Sequence, residues 1–196
     1  YLAEMFPAEG ERVPKRRFAG FTGEWEKCEL QELCDVFDDG DWIESKDQSN
    51  DGIRLIQTGN IGLTEFLNKE NSKKWISKAT FKRLNCNEVF PGDIIISRLP
   101  EPAGRACIIP DLGVRMITSV DCTIVRTKDK VSSDFLVQFL ATSNYFKIVD
   151  RLLGGGTRQR ISRSYLATIK VPLPKTLEEQ QKIGNFFKQL DDKISI

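Results

Sequence analysis

Apolar and polar positions alternate in short blocks through the first two thirds of the chain, then take up helical spacing. Ile53–Thr58 (IRLIQT) alternates with a period of two and predicts a strand. Gly59-Asn60-Ile61-Gly62 reads as a turn, with a second short strand near Leu63–Leu67. Pro91-Gly92 leads into the unbroken apolar run Ile94–Ile96, the pattern of a turn entering a buried strand. Arg105–Ile109, Val120–Arg126 and Ile169–Leu173 predict further strands. Within Trp25–Phe37, Leu30, Leu33, Val36 and Phe37 fit either a short amphipathic helix or a strand-to-helix transition. Trp75–Leu84 predicts a helix with Ser77 or Thr80 as its cap. Val131-Ser132-Ser133-Asp134 caps a longer one, with the apolar residues of Phe135–Leu153 roughly on one face. The class expected is α+β: a twisted, mostly antiparallel sheet, a few helices and a protruding C-terminal helix.

That last helix opens at Thr176-x-x-Glu179, a capping-box pattern. Ile183, Phe187, Leu190 and Ile194 follow at intervals of four, three and four, an a/d seam. A helix packing on its own domain has the same spacing. Tyr1–Phe6, however, reads as the tail of a helix from a longer protein, and Glu9–Phe21 as a linker. With helix at both ends of the chain, the seam is expected to meet a helix outside this domain.

Between the long helix and the last strand lies Leu153–Pro174. Three glycines, Gly154–Gly156, precede Thr157, Arg158, Gln159 and Arg160. Glycine ends helices and lets another backbone come close. Bare backbone N–H groups beside guanidinium groups suit phosphate. A flexible loop with solvated arginines is the plainer reading of the same residues.

Composition alters this picture only locally. The 196 residues carry a net charge of +1, with 40% hydrophobic and 29% charged residues. Charge is nevertheless segregated. Asp35–Asp51 holds seven acids and one lysine, whereas Lys69–Arg83 holds six bases and one acid. Arg151, Arg158, Arg160, Arg163 and Lys170 form a second basic zone. Such zoning fits a polyanion met on one face. Five cysteines without a C-x-x-C pair, and no histidine, argue against zinc fingers and fit a reducing cytoplasm. No run of apolar residues is long enough to span a membrane.

For catalysis the candidate is Glu44-Ser45-Lys46, an E-x-K preceded by Asp38, Asp39 and Asp41, which could hold Mg²⁺. Nuclease sites usually place such residues on strands of one sheet, and these fall in a polar loop. The glycine run lacks the G-K-[ST] of a phosphate-binding loop, and no methyltransferase signature occurs. No cofactor is therefore expected. DNA recognition has better support. Gln57, Asn60, Arg98, Arg105, Thr157, Arg158, Gln159 and Arg160 sit in or beside predicted turns, and include the side chains that read base edges. Lys73, Lys74 and Lys78, with Lys82 and Arg83, suit phosphate contacts. Trp42 and Trp75 are expected in the core. A helix-mediated scaffold without DNA contacts of its own is the alternative.

In order and spacing, these pieces resemble one family, the specificity subunit of type I restriction–modification systems. The resemblance rests on Trp25 with Leu30 and Leu33, Ile53–Ile61, Gly92–Ser97 and the helix Phe135–Leu153. It continues through Gly155-Gly156-Thr157-x-Gln159-x-Ile161, Ile169-x-Val171-Pro172-Leu173-Pro174, Glu179-Gln180-x-x-Ile183 and Leu190-Asp191. It implies the end of a preceding helix and a linker over 1–24, a target recognition domain, the second of its subunit, over 25–174, and the start of a spacer helix over 175–196. It also implies a non-catalytic reader of one half of a bipartite site in double-stranded DNA. The implied partners are methyltransferase subunits, a restriction subunit, and a helix from the other half of the subunit or from a second copy.

Overall fold

The Ile94–Ile96 run is apolar without alternation because both faces of its strand are covered. Ile94 and Ile96 join one hydrophobic cluster and Ile95 another. The computed structural model describes residues 1–156 and 159–194. Its elements are α1 (Leu2–Met5), β1 (Glu26–Glu29), β2 (Cys34–Asp39), β3 (Gln48–Ser49), β4 (Ile53–Ile56) and β5 (Lys74–Ile76). Then come α2 (Lys78–Leu84), β6 (Glu88–Val89), β7 (Ile94–Ser97), β8 (Ala106–Ile108), β9 (Met116–Thr118) and β10 (Cys122–Thr127). The chain closes with α3 (Ser133–Phe139), α4 (Ser143–Leu152), α5 (Arg163–Thr168), β11 (Lys170–Leu173) and α6 (Leu177–Ile194).

The class is α+β, as expected, but the strands form three sheets among the described residues. One has the order β2-β10-β7-β8, another β3-β5-β4-β9-β6, and β1 pairs with β11. The ladder between β4 and β9 is parallel, and the others are antiparallel. The result is layered. Helices cover the first sheet through Ile94, Ile96, Phe135, Leu136, Tyr145 and Ile183. Its other face meets the second sheet through Ile95, Ile124, Ile56 and Met116. The second sheet then receives α2 through Ile53, Leu55, Ile76 and Ile117, against Phe81 and Leu84.

Several local expectations change. Trp25–Phe37 is strand, 3-10 turn and strand, because Leu30 and Leu33 lie on a single turn closed by Glu29 and Glu32. Trp75 belongs to β5, and α2 starts only after Ser77, whose Oγ accepts the Thr80 N–H (3.0 Å). Leu63–Leu67 is a loop held by two isolated bridges, Ile61–Phe66 and Thr64–Cys107. The long helix breaks at Thr142, whose hydroxyl accepts the Tyr145 N–H and restarts it as α4.

The seam is corrected as well. Ile183 and Phe187 are 2% and 5% exposed and belong to the domain's own core, with Leu190 packed against it. The side chain of Ile194 lies outside the described residues. Polar clamps lock the same helix down. The Arg17 guanidinium forks onto Glu179 (2.7 and 2.9 Å). Gln180 accepts the Ser132 N–H (3.0 Å) and donates to the carbonyls of Lys130 and Pro174. Gly184 permits the close approach: a Cβ there would stand 2.7 Å from the Phe135 nitrogen.

Alanine normally gains up to about 1 kcal/mol over glycine inside a helix. At position 184 the clash with backbone reverses the sign. Gly184→Ala should lower stability by about 1–3 kcal/mol in urea unfolding, the cost of overpacking.

Candidate nucleic-acid interface

Parallel pairing sends β4 and β9 out of the sheet on the same side. Gln57 leaves β4 there and Ser119 leaves β9, joined where the Ser119 N–H donates to the Ile56 carbonyl (3.0 Å). The chain turns through Val120 and Asp121 into β10, beside the end of β7, where Cys122 faces Ser97. The Arg98 N–H donates to the Asp121 carbonyl (2.9 Å), and the Arg98 carbonyl accepts the Ile161 N–H (3.1 Å). Ile161 closes the glycine hairpin, whose base is the reciprocal pair Gly154–Arg160 (3.0 and 2.9 Å). Gly155 takes a φ of +100°, which suits glycine alone. The 57–62 loop, the 119–121 turn, the loop after Arg98 and the glycine hairpin thus share one rim.

Arg105 holds that rim. Its Nε donates to the Ile61 carbonyl (2.6 Å) and Nη2 to Thr58 (2.8 Å). Nη1 donates to Leu99 (2.8 Å) and Pro102 (3.0 Å). Burial pulls the pKa of this guanidinium below the usual arginine range. Arg98 is more deeply buried, donates to the Val120 carbonyl and lies 3.4 Å from Asp39. Arg163 pairs with Asp38 (2.6 Å) and Asp39 (3.5 Å). A cleft of about 530 Å³ opens beside the segment whose Pro102 carbonyl Arg105 holds, lined by Pro100, Glu101, Ala103, Asp150, Leu153 and Gln159.

Residues 22–196 match the family model for the type I restriction modification DNA specificity domain. The chain belongs to that family. It is similar to the type I restriction enzyme MjaVIII specificity subunit of Methanocaldococcus jannaschii, with 24% identity over 96% of this chain and 44% of that protein. The fold is shared with the HsdS subunit of Thermoanaerobacter tengcongensis (TM-score 0.68, 21% identity, 99% of this chain and 42% of that one). A structure of type I R-M complex assembly and conformational transition gives a TM-score of 0.70 at 21% identity, over 99% of this chain and 43% of that one. The chain therefore spans less than half the length of these relatives.

The specificity domain sorts the candidate residues into groups. Gln57 and the exposed Gln159 and Arg160 lie on the rim, Arg160 within 3.5 Å of Asp121. The exposed Lys74 lies at the rim end of β5, opposite Leu55, and Lys73 beside it pairs with Glu70. Asn60 is buried, accepting the Gln57 N–H (3.0 Å) and donating to the Leu67 carbonyl (2.9 Å). Asn60, Arg98 and Arg105 thus build the rim rather than project from it. Lys78 sits at the other end of the sheet, at the start of α2. Thr157 and Arg158 lie outside the described residues. Sequence reasoning counted Lys69 in a basic zone but not among the contact residues; its ammonium lies against Gly59, and its place directly before a 3-10 turn was the available signal. Trp42 corrects an expectation, being 70% exposed beside the rim, where Asp41 bridges Ser119. In the E-x-K stretch, Glu44 pairs with Lys46 (2.8 Å) and accepts from Trp42 Nε1 (3.4 Å).

Lysine cannot reproduce the fork at position 105. Arg105→Lys should leave carbonyls unpaired and cost about 2–4 kcal/mol in denaturant unfolding.

Asp41 is half-buried, accepts the Asn87 N–H (3.0 Å), and burial raises its pKa from 3.8 to about 6. The folded chain holds this proton more tightly than the unfolded one, so its contribution to stability falls as pH rises from 3.8 to 6. Asp41→Asn keeps an acceptor for Asn87 without the buried charge. It should be more stable than wild type by about 1–3 kcal/mol above pH 7, with the gain fading toward pH 4. Thermal melts across that range read the crossing.

Proposed function

We propose that this chain is a target recognition domain that reads one half of a bipartite site in double-stranded DNA. The observation that carries the reading is the rim. Strand ends from two sheets and the glycine hairpin converge there, and buried arginines organise the loops. Gln57, Lys69, Lys74, Gln159 and Arg160 are left to meet a ligand. Amide side chains suit base edges, and the lysines and Arg160 suit phosphate.

The recognition unit runs over residues 25–174, with a helix end and linker before it and the spacer helix after it. Both flanks pack on it, since Met5, Phe6, Ile183 and Phe187 share its core. Methyltransferase subunits supply N6-adenine methylation and a restriction subunit supplies cleavage; this chain contributes specificity and no catalysis. Pairing with a helix of the other half of the subunit, or of a second copy, falls to α6 from Leu190 onward. Such a complex works on DNA in the cytoplasm.

The test is duplex affinity of the complete subunit assembled with methyltransferase subunits, over a salt series. Adenine methylation mapped in host DNA identifies the cognate site. Lys74→Ala and Arg160→Ala should weaken all duplexes alike and lower the salt slope by about one each. Gln159→Ala should cost roughly 1–3 kcal/mol on the cognate duplex only. Wild-type affinity for all three variants on both duplexes would favour a scaffold without DNA contacts.

A further inference from the structure

The C-terminal helix reaches the rim loop through one carboxylate. Asp191 Oδ2 accepts the Thr64 hydroxyl at 3.1 Å and the Gln138 amide Nε2 at 3.0 Å. Three elements therefore meet at one oxygen: α6, α3 and the loop that follows Gln57. One turn earlier Lys188 pairs with Asp134 (3.4 Å), so α6 is registered on α3 just before it meets the loop.

Thr64 is an unusual residue to find there. Its φ is +64°, in the left-handed region that β-branched residues rarely enter. Such a conformation persists only where its surroundings over-determine it. Here the Thr64 N–H donates to the Ala106 carbonyl (2.9 Å), and the Gly62 N–H donates to Glu65 (2.9 Å). The hydroxyl adds the bond to Asp191. Two residues before Gly62, Asn60 anchors the loop to Gln57 and Leu67, and the Ile61 carbonyl is one of those held by Arg105. A change at Thr64 thus reaches Gln57 and Thr58 through a short, fully bonded path.

We propose that Asp191 is a positioning residue for DNA readout. Through Thr64, the spacer helix sets the conformation of the 57–67 loop, so the seating of α6 on α3 is coupled to base recognition at the rim. This rests on the reading of the rim as the DNA-binding surface.

Two readouts separate the two ideas, both taken on the complete subunit assembled with methyltransferase subunits. The first is amide hydrogen exchange over residues 57–67 without DNA. The second is affinity for the cognate duplex relative to a scrambled one. Asp191→Ala should speed exchange in the loop and lower the cognate preference roughly tenfold, as expected for a coupled contact, while sparing scrambled-duplex affinity. Asp191→Asn, which keeps size and one acceptor, should fall between. Thr64→Gly accepts the positive φ without the hydroxyl, so adding Asp191→Ala to it should change little further. Unchanged exchange in Asp191→Ala, or an equal loss on both duplexes, overturns the positioning role. Faster exchange in a complex whose wild type shows no cognate preference would instead remove the DNA reading and leave only the structural tie.

Discussion

The rim of this domain depends on one guanidinium. Arg105 spans four backbone carbonyls from the 57–62 and 99–102 segments. No loop of this kind can pair its own carbonyls as a helix or sheet does, and a buried carbonyl without a donor is costly. A planar fork of N–H groups meets the need in a way a single ammonium cannot. Arg98 acts similarly at the 119–121 turn, with Asp39 balancing its charge. Arginines that look alike in the chain thus divide into those that build the surface and those left to bind with it.

The layered architecture explains why loops gather at the rim. Helices cover one face of the first sheet, the second sheet covers the other, and α2 closes the far side. Strand ends are the places where such a stack can present variable loops without losing core. The parallel pairing of β4 with β9 brings two of those ends together, and the antiparallel pairing of β7 with β10 adds a third. At the opposite side of the molecule, the Arg17–Glu179 fork and Gln180 fix the terminal helix, which reaches forward again at Asp191.

Much of this was legible in the residues. Caps at Ser77 and Ser132, the Pro-Gly turn before Ile94 and the glycine stop after α4 are local signals, and local signals decide local structure. The two- and three-residue strands β3, β6 and β9 are too short to show a period, and their pairing partners lie far along the chain. The a/d seam showed that α6 has an apolar face, not what covers it. Gly184 in the middle of that face was the missed sign of a close intramolecular packing. For the site, residue type marked Arg98, Arg105 and Arg160 equally. Only the folded positions of distant carbonyls distinguish the first two as framework. Trp42 was misplaced because an aromatic residue in an acidic loop carries no pattern that shows which way it faces.

The most direct test of the account is a hydroxyl-radical protein footprint of the complete subunit, assembled with methyltransferase subunits, with and without its cognate duplex. The account predicts protection of residues 57–62, 99–103 and 154–160, with Lys78–Leu84 at the other end of the second sheet unchanged. Protection of α2 with the rim left open to the radical would contradict it.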